Sequence, residues 1–359
     1  MWTETRVTGL LGIRCPILQA PMAGGATTPE LVAAVSNAGG LGALGAGYMS
    51  AAAMRGAIRR IRELTDRPFA VNLFVPETPQ EDEERMAAAH RLLRPYRQEL
   101  GLSGEPQLSA YAEPFAEQIA VVLAERVTVF SFTFGIPSEE ILQQLREQGI
   151  KTIGTATTVR EAVLLEQSGI DLIHAQGGEA GGHRGTFLGR HGDALVGTMA
   201  LVPQIVDHVT LPVIAAGGIM DGRGIAASLM LGAEAVQLGT AFLTTAESGI
   251  HPDYQAALLS STEESTALTS AFSGKPARGL QNRFLREMEP HQQELPDYPI
   301  QNALTRDIRQ AAAGQNNTDF MSLWAGQGTR LTRRQTAAEL MANLIEETHN
   351  ALHKVKRIP

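Results

Sequence analysis

The eleven residues Ala175-Gln176-Gly177-Gly178-Glu179-Ala180-Gly181-Gly182-His183-Arg184-Gly185 hold five glycines and a single imidazole. An imidazole titrating near neutrality can accept a proton or, once charged, hold an anion, and glycine lets backbone come close to a bound ligand. His183 is therefore a candidate catalytic residue over a large, flat ligand. A lone histidine is more often structural, but the glycines beside this one offer no apolar packing partner nearby in the sequence. Whether it serves as a base or as an anion stabiliser stays open.

Two further glycine motifs, Gly217-Gly218-Ile219 and Gly239-Thr240, each follow a short apolar run and precede a helix start. Backbone N–H groups and one hydroxyl in that setting can grip a phosphate. Either motif alone fits tight strand-to-helix packing equally well; their succession on neighbouring strands points to phosphate. Asn72, Gln176 and Gln237 offer amide donors and acceptors for the edge of a heteroaromatic ring, although each also reads as an ordinary polar strand end. Lys275 and Arg278 are candidates to clamp a small anion, or are solvated surface charges. His174, Glu179, His183 and His191 lack the i, i+4 histidine pairing of a helical zinc site, so no metal is expected.

These residues need a frame, and the chain supplies a repeating one. Apolar strands at 16–20, 41–46, 69–74, 127–132, 151–154, 171–175, 212–216 and 235–239 alternate with amphipathic helices, among them one capped by Thr28 with Pro29 in first position. Eight strand–helix units imply an α/β fold, a closed (β/α)8 TIM barrel, with chemistry at the carboxyl ends of the strands. An open doubly wound sheet is the alternative, but the Gly-x-Gly-x-x-Gly opening of a dinucleotide fold does not follow the first strand. The rhythm breaks at 76–109, which carries four consecutive acidic residues at 81–84, and fades again over 247–325. We assign 1–75 and 110–246 to the barrel, 76–109 and 247–325 to a smaller, mainly helical lobe over its mouth, and 326–359 to a C-terminal helix packing on the barrel.

The 359 residues, 43% of them apolar, suffice for one large core with an appended piece. A net charge of −8 gives no general attraction for nucleic acid or anionic membrane, so a small anion must find its positive charge locally. The single cysteine, Cys15, and the absence of an apolar leader after Met1 point to the cytoplasm. The uncharged stretch between Glu30 and Arg55 is cut by glycines and reads as core rather than membrane span. A homo-oligomer is compatible with the sequence.

Seven blocks in order resemble the nitronate monooxygenases (2-nitropropane dioxygenases), class I-like. They are Gln19-Ala-Pro-Met22-Ala-Gly-Gly25, Phe69-Ala-Val-Asn72, Ser131-Phe-Thr-Phe134-Gly135, Gln176 to His183, Ala216-Gly-Gly-Ile219, Gln237-Leu-Gly-Thr240-Ala-Phe and Tyr298-Pro-Ile-Gln-Asn-Ala-Leu-Thr305-Arg306. The resemblance implies non-covalent FMN and oxidation of alkyl nitronates, propionate 3-nitronate above all, by O2 to a carbonyl compound and nitrite through a flavin semiquinone. It carries FMN contacts onto Met22, Asn72, Gln176, Gly181, Gly218, Gln237, Gly239 and Thr240, catalysis onto His183 and a substrate-pocket role onto Tyr254. Such chemistry needs neither metal nor nucleophile from the protein. The alternatives are an FMN-dependent, NAD(P)H-using enoyl-ACP reductase, which shares the Gly-Gly-His and Gly-Gly-Ile elements, a colourless phosphosugar isomerase, and a flavin-binding barrel without turnover.

Overall fold

The computed structural model describes residues 1–79, 81–106, 108 and 110–355. Eight parallel strands form the barrel: β1 (Ile17–Gln19), β2 (Gly42–Gly45), β3 (Phe69–Phe74), β4 (Val129–Thr133), β5 (Lys151–Ala156), β6 (Leu172–Gln176), and, after a two-residue strand β7 (Gly182–His183) outside the barrel, β8 (Val213–Ala216) and β9 (Ala235–Leu238). Their order is β1-β9-β8-β6-β5-β4-β3-β2. The ring closes through a parallel bridge between Leu18 and Leu41, with Gln19 N–H donating to Leu41 O at 3.0 Å and Leu41 N–H to Ile17 O at 3.0 Å.

Each helix follows its strand as the periodicity requires. Thr28 Oγ1 accepts from Leu31 N at 3.0 Å and caps the helix Pro29–Asn37, so one of its otherwise orphaned first-turn donors is satisfied. The helix Thr198–Val206 starts after Gly197, which has no side chain to cap it. The Glu179 carboxylate does so instead, accepting from Thr198 N at 2.9 and 3.0 Å, and thereby ties the glycine stretch to the next unit.

The barrel interior changes character along its axis. Side chains alternate across a strand, and the inward positions at the amino-terminal end are apolar: Leu18, Ala43, Ala70, Val129, Ile153, Leu172, Ile214 and Ala235 form one cluster. Val7 and Leu11 of a short helix, Arg6–Leu11, seal it from below. Two residues further on, the same inward rows turn polar, with Asn72, Ser131, Thr155, His174 and Gln237 facing a cavity. The outward rows, such as Val71, Leu73, Phe130 and Phe132, pack under the surrounding helices.

A second hydrophobic cluster joins the helix Glu83–Glu99 to the segment from Leu243 to Ala325. The sequence analysis expects this part to be mainly helical. It also contains a three-stranded antiparallel sheet in which β10 (Thr266–Thr269) and β11 (Ala277–Leu280) are joined by β7. The register sets Ala277 opposite His183 and Arg278 opposite Gly182. Glycine and the lysine–proline pair hide these strands from any period-2 reading. The last helix, Ala337–Val355, packs against the helix Gly222–Met230, where Gly222 permits the approach: a Cβ there would lie 2.2 Å from Thr348 N. Among the described residues no helix is long and apolar enough to cross a membrane.

Candidate active site

A cavity of about 760 Å³ lies at the carboxyl ends of the barrel strands. Of the candidate residues, Met22, Asn72, Gln176, Gly181 and His183 line it, as do Gly218, Gln237, Gly239, Thr240 and Tyr254. Lys275 and Arg278 do not.

One wall is backbone and amide. Gly217 and Gly218 adopt φ of +112° and +70°, a left-handed course that L side chains rarely follow. The N–H groups of Gly218 and Gly239 donate to no group among the described residues. Thr240 Oγ1 accepts from Gly326 N at 2.9 Å, which leaves the hydroxyl proton free to be donated. The barrel floor adds acceptors: Asn72 Nδ2 donates to Ser131 Oγ at 3.0 Å and Gln237 Nε2 to His174 Nε2 at 3.0 Å, so each amide turns its N–H end to protein and keeps its carbonyl oxygen unpaired. His174 can accept because burial, with Arg184 nearby, pushes its pKa down to about 4 and keeps the ring neutral. Free N–H donors at one end and free carbonyl oxygens at the other suit a phosphate-bearing heteroaromatic ligand. Among the described residues no three His, Cys, Asp or Glu side chains are grouped to hold a metal ion.

The other wall is aromatic and centres on His183. Its ring centroid is 5.5 Å from that of Trp324, 5.8 Å from Phe134, 6.0 Å from Tyr298 and 6.5 Å from Phe74. Burial in this setting, reinforced by the charges of Lys275 and Arg309, pushes the imidazole down to about 3. The ring is therefore neutral at any ordinary pH. Nε2 lies 2.9 Å from Ser273 Oγ. Phe134 itself sits at φ +76°, a costly backbone for a bulky residue, held where β4 ends and Gly135 turns the chain.

Gln176 lines the cavity and also serves the histidine loop. Its Nε2 donates to His183 O at 3.0 Å and its Oε1 accepts from Gly185 N at 2.8 Å, so the amide braces the histidine loop from both sides. Arg184, fully buried, donates to Gly177 O at 2.6 Å, Gln176 O at 3.0 Å and Ala194 O at 3.1 Å. These five hydrogen bonds tie the glycine stretch down as a strap.

The expected anion clamp is also differently placed. Arg278 lies buried beneath that strap and donates to Gly178 O at 3.1 Å, because pairing of β11 with β7 turns it towards the strap's carbonyls. Lys275, also buried, pairs with Glu77 at 2.6 Å and sits 4.6 Å over the Phe134 ring, which neutralises it. The Tyr254 hydroxyl donates to Trp324 O, so it presents only its ring to the cavity. Sequence reasoning passed over the cations that do line the cavity, Arg306 and Arg309. Arg309 is committed to Asn302 Oδ1 at 2.9 Å and to backbone carbonyls, whereas Arg306 is exposed and makes no ion pair or hydrogen bond among the described residues. Tyr48, whose buried hydroxyl has no hydrogen-bond partner among the described residues, was equally unforeseen.

The chain matches the family model for nitronate monooxygenase over residues 4–347. It belongs to the nitronate monooxygenase family. A Staphylococcus saprophyticus protein described as a probable nitronate monooxygenase is 47% identical over 357 residues, which is 99% of this chain and all of that protein. Among solved structures, nitroalkane oxidase from Streptomyces ansochromogenes is 43% identical with a TM-score of 0.90, covering 97% of this chain and 99% of that one. FabK from Thermotoga maritima is 33% identical with a TM-score of 0.78 over 98% of each chain. Family membership makes the chain an oxidoreductase.

Proposed function

We propose that the cavity holds FMN non-covalently and that the enzyme oxidises alkyl nitronates with O2 to a carbonyl compound and nitrite, favouring a short nitronate with a distal carboxylate such as propionate 3-nitronate. The observation that carries this reading is the meeting, in one cavity, of unpaired glycine N–H groups with a neutral histidine in an aromatic wall. Gly218, Gly239 and Thr240 would hold the phosphate, the oxygens of Asn72 and Gln237 would accept from the ring edge, and Met22, Gln176 and Gly181 complete the wall. When bound, FMN supplies the electron acceptor. The barrel would hold the cofactor, and the lobe at 76–109 and 247–325 would close the substrate side by adding Tyr298 and Trp324 to the His183 wall.

The protein's own share is binding and proton transfer. A neutral His183 can remove the α-proton of a nitroalkane; a nitronate arrives already ionised and needs no base. Proton removal places positive charge on the imidazole as negative charge forms on the nitro oxygens, so each offsets the other's desolvation in the apolar wall. Arg306 replaces Lys275 and Arg278 as the group for a distal carboxylate, since a net acidic chain must supply that charge locally and, of Lys275, Arg278, Arg306 and Arg309, only Arg306 makes no hydrogen bond or ion pair among the described residues.

Anaerobic mixing of the yellow holoenzyme tests the proposal. Nitronate alone should bleach the flavin, and readmitted O2 should restore the colour with release of nitrite. Heat release and mass determination should return FMN. Bleaching by NAD(P)H but not by nitronate would instead support an enoyl-ACP reductase, and no bleaching by either would leave a flavin-binding barrel without turnover.

A further inference from the structure

A neutral imidazole has one N–H, and which nitrogen carries it decides which can act as a base. The surroundings of His183 decide this. Ser273 is 1% exposed, and its single hydroxyl proton has an acceptor in Lys275 O, 3.0 Å from Oγ, a carbonyl that receives no other hydrogen bond among the described residues. The same Oγ receives the Lys275 N–H at 3.3 Å. Its remaining neighbour is His183 Nε2 at 2.9 Å; turning the Ser273 proton to Nε2 would leave the Lys275 carbonyl without a donor among the described residues, so the arrangement that satisfies every group has Nε2 donating to Oγ. Nε2 thus carries the hydrogen. Nδ1 carries the lone pair and makes no hydrogen bond among the described residues, on a ring that lines the cavity.

The turn presenting Ser273 is built to hold this polarity. Gly274 N donates to Ser270 O at 2.7 Å, and Gly274 has φ +78° with Pro296 O so close that a Cβ would approach it to 2.4 Å. Gln301 Nε2 holds Ala271 O at 2.8 Å. We propose that Ser273 is a positioning residue that fixes His183 in the Nε2–H tautomer through the Lys275 carbonyl, and so makes Nδ1 the proton acceptor. The tautomer stands on hydrogen-bond geometry alone, while its use in catalysis rests on the function proposed above.

Two measurements test this separately. Long-range ¹H–¹⁵N spectra of the holoenzyme, with the His183 signals identified by their loss in His183→Asn, should show a protonated Nε2 and an unprotonated Nδ1; the opposite assignment overturns the proposal whatever the enzyme's activity. In Ser273→Ala the Nε2–H loses its acceptor, so kcat/KM for neutral nitroalkanes should fall by about tenfold or more, part of the roughly 10²- to 10⁴-fold that a base contributes. Turnover of preformed nitronate should stay close to wild type, and Ser273→Thr, which keeps the hydroxyl, should recover nitroalkane turnover. Equal losses on both substrates, or none on either, refute the positioning role. Failure of wild type to oxidise any nitronate would count against the proposed function but leave the nitrogen spectrum to decide the tautomer.

Discussion

The two walls of the cavity are built on opposite plans. The barrel wall takes each contributor from the end of its own strand, with Gly218 after β8 and Gly239 after β9, and it works through backbone and through amides already oriented by Ser131 and His174. The His183 wall assembles Phe74, Phe134, Tyr298 and Trp324 from segments spread between positions 74 and 324, and it surrounds the imidazole with aromatic rings. The first wall offers polarity that is paid out to a ligand, the second withholds it. The same residue type is neutral in both walls because it is buried, His174 beside Arg184 inside the barrel and His183 among aromatic rings with Lys275 and Arg309 nearby.

Damage to the barrel wall should remove the cofactor and damage to the other should spare it. The largest effect belongs to Gly218→Val. A β-branched residue at φ +70°, with its Cβ 3.2 Å from that of Glu179, must distort the turn, and the folded variant should lose stoichiometric flavin by absorbance. Full retention would break the contrast. His183→Asn should keep its flavin yet lose about 10²- to 10⁴-fold in nitroalkane turnover, with preformed nitronates far less affected. Near-wild-type nitroalkane oxidation in a flavin-replete variant would reduce the histidine to a structural part.

Smaller changes sharpen the comparison further. Arg306→Ala should raise KM for a carboxylated nitronate by about tenfold, or about 1.4 kcal/mol, and hardly alter it for an uncharged one. Lys275→Met should not discriminate between the two substrates, and if it does while Arg306→Ala does not, the carboxylate site has been misplaced. The smallest effect is expected from pH. With His183 held down to about 3, nitronate kcat/KM should change little between about pH 5 and 8, a range set by the ordinary histidine pKa near 6.5. Stability should respond where activity does not. His174 and His183 stay neutral in the fold down to about 4 and 3, while in the unfolded chain they take up protons below about 6.5. The unfolded state then binds more protons, so Tm should fall as pH drops from about 6.5 towards 4, and a Tm that is flat or rises over that span would contradict the burial of both rings.

The barrel wall was legible because strand-end position in this architecture is itself a functional address. Every barrel strand is found within one or two residues of its expected place, and ten of the twelve candidate residues line the cavity. Lys275 and Arg278 misled because charge in a glycine-rich tract looks exposed; only the pairing of β11 with β7 turns Arg278 onto Gly178 O. Ser273 and Trp324 were invisible for the same reason, since long-range antiparallel pairing leaves no local period. A signal for the aromatic wall was nonetheless present: Phe74 and Phe134 stand at the ends of the third and fourth strands, the very positions used to find Asn72 and Gln237.

The pairing of β7 with β11 has a consequence for anyone wishing to move this chemistry to another scaffold. The histidine resides on a strand whose hydrogen-bonding partner lies nearly a hundred positions downstream, and its polarity is fixed by a serine four residues before that partner's Ala277. Transplanting the glycine stretch into a foreign (β/α)8 enzyme would deliver an imidazole with no orientation. The smallest portable unit is a discontinuous cassette, 175–185 together with 266–280, and grafts of the first piece alone should bind ligand without acquiring a working base.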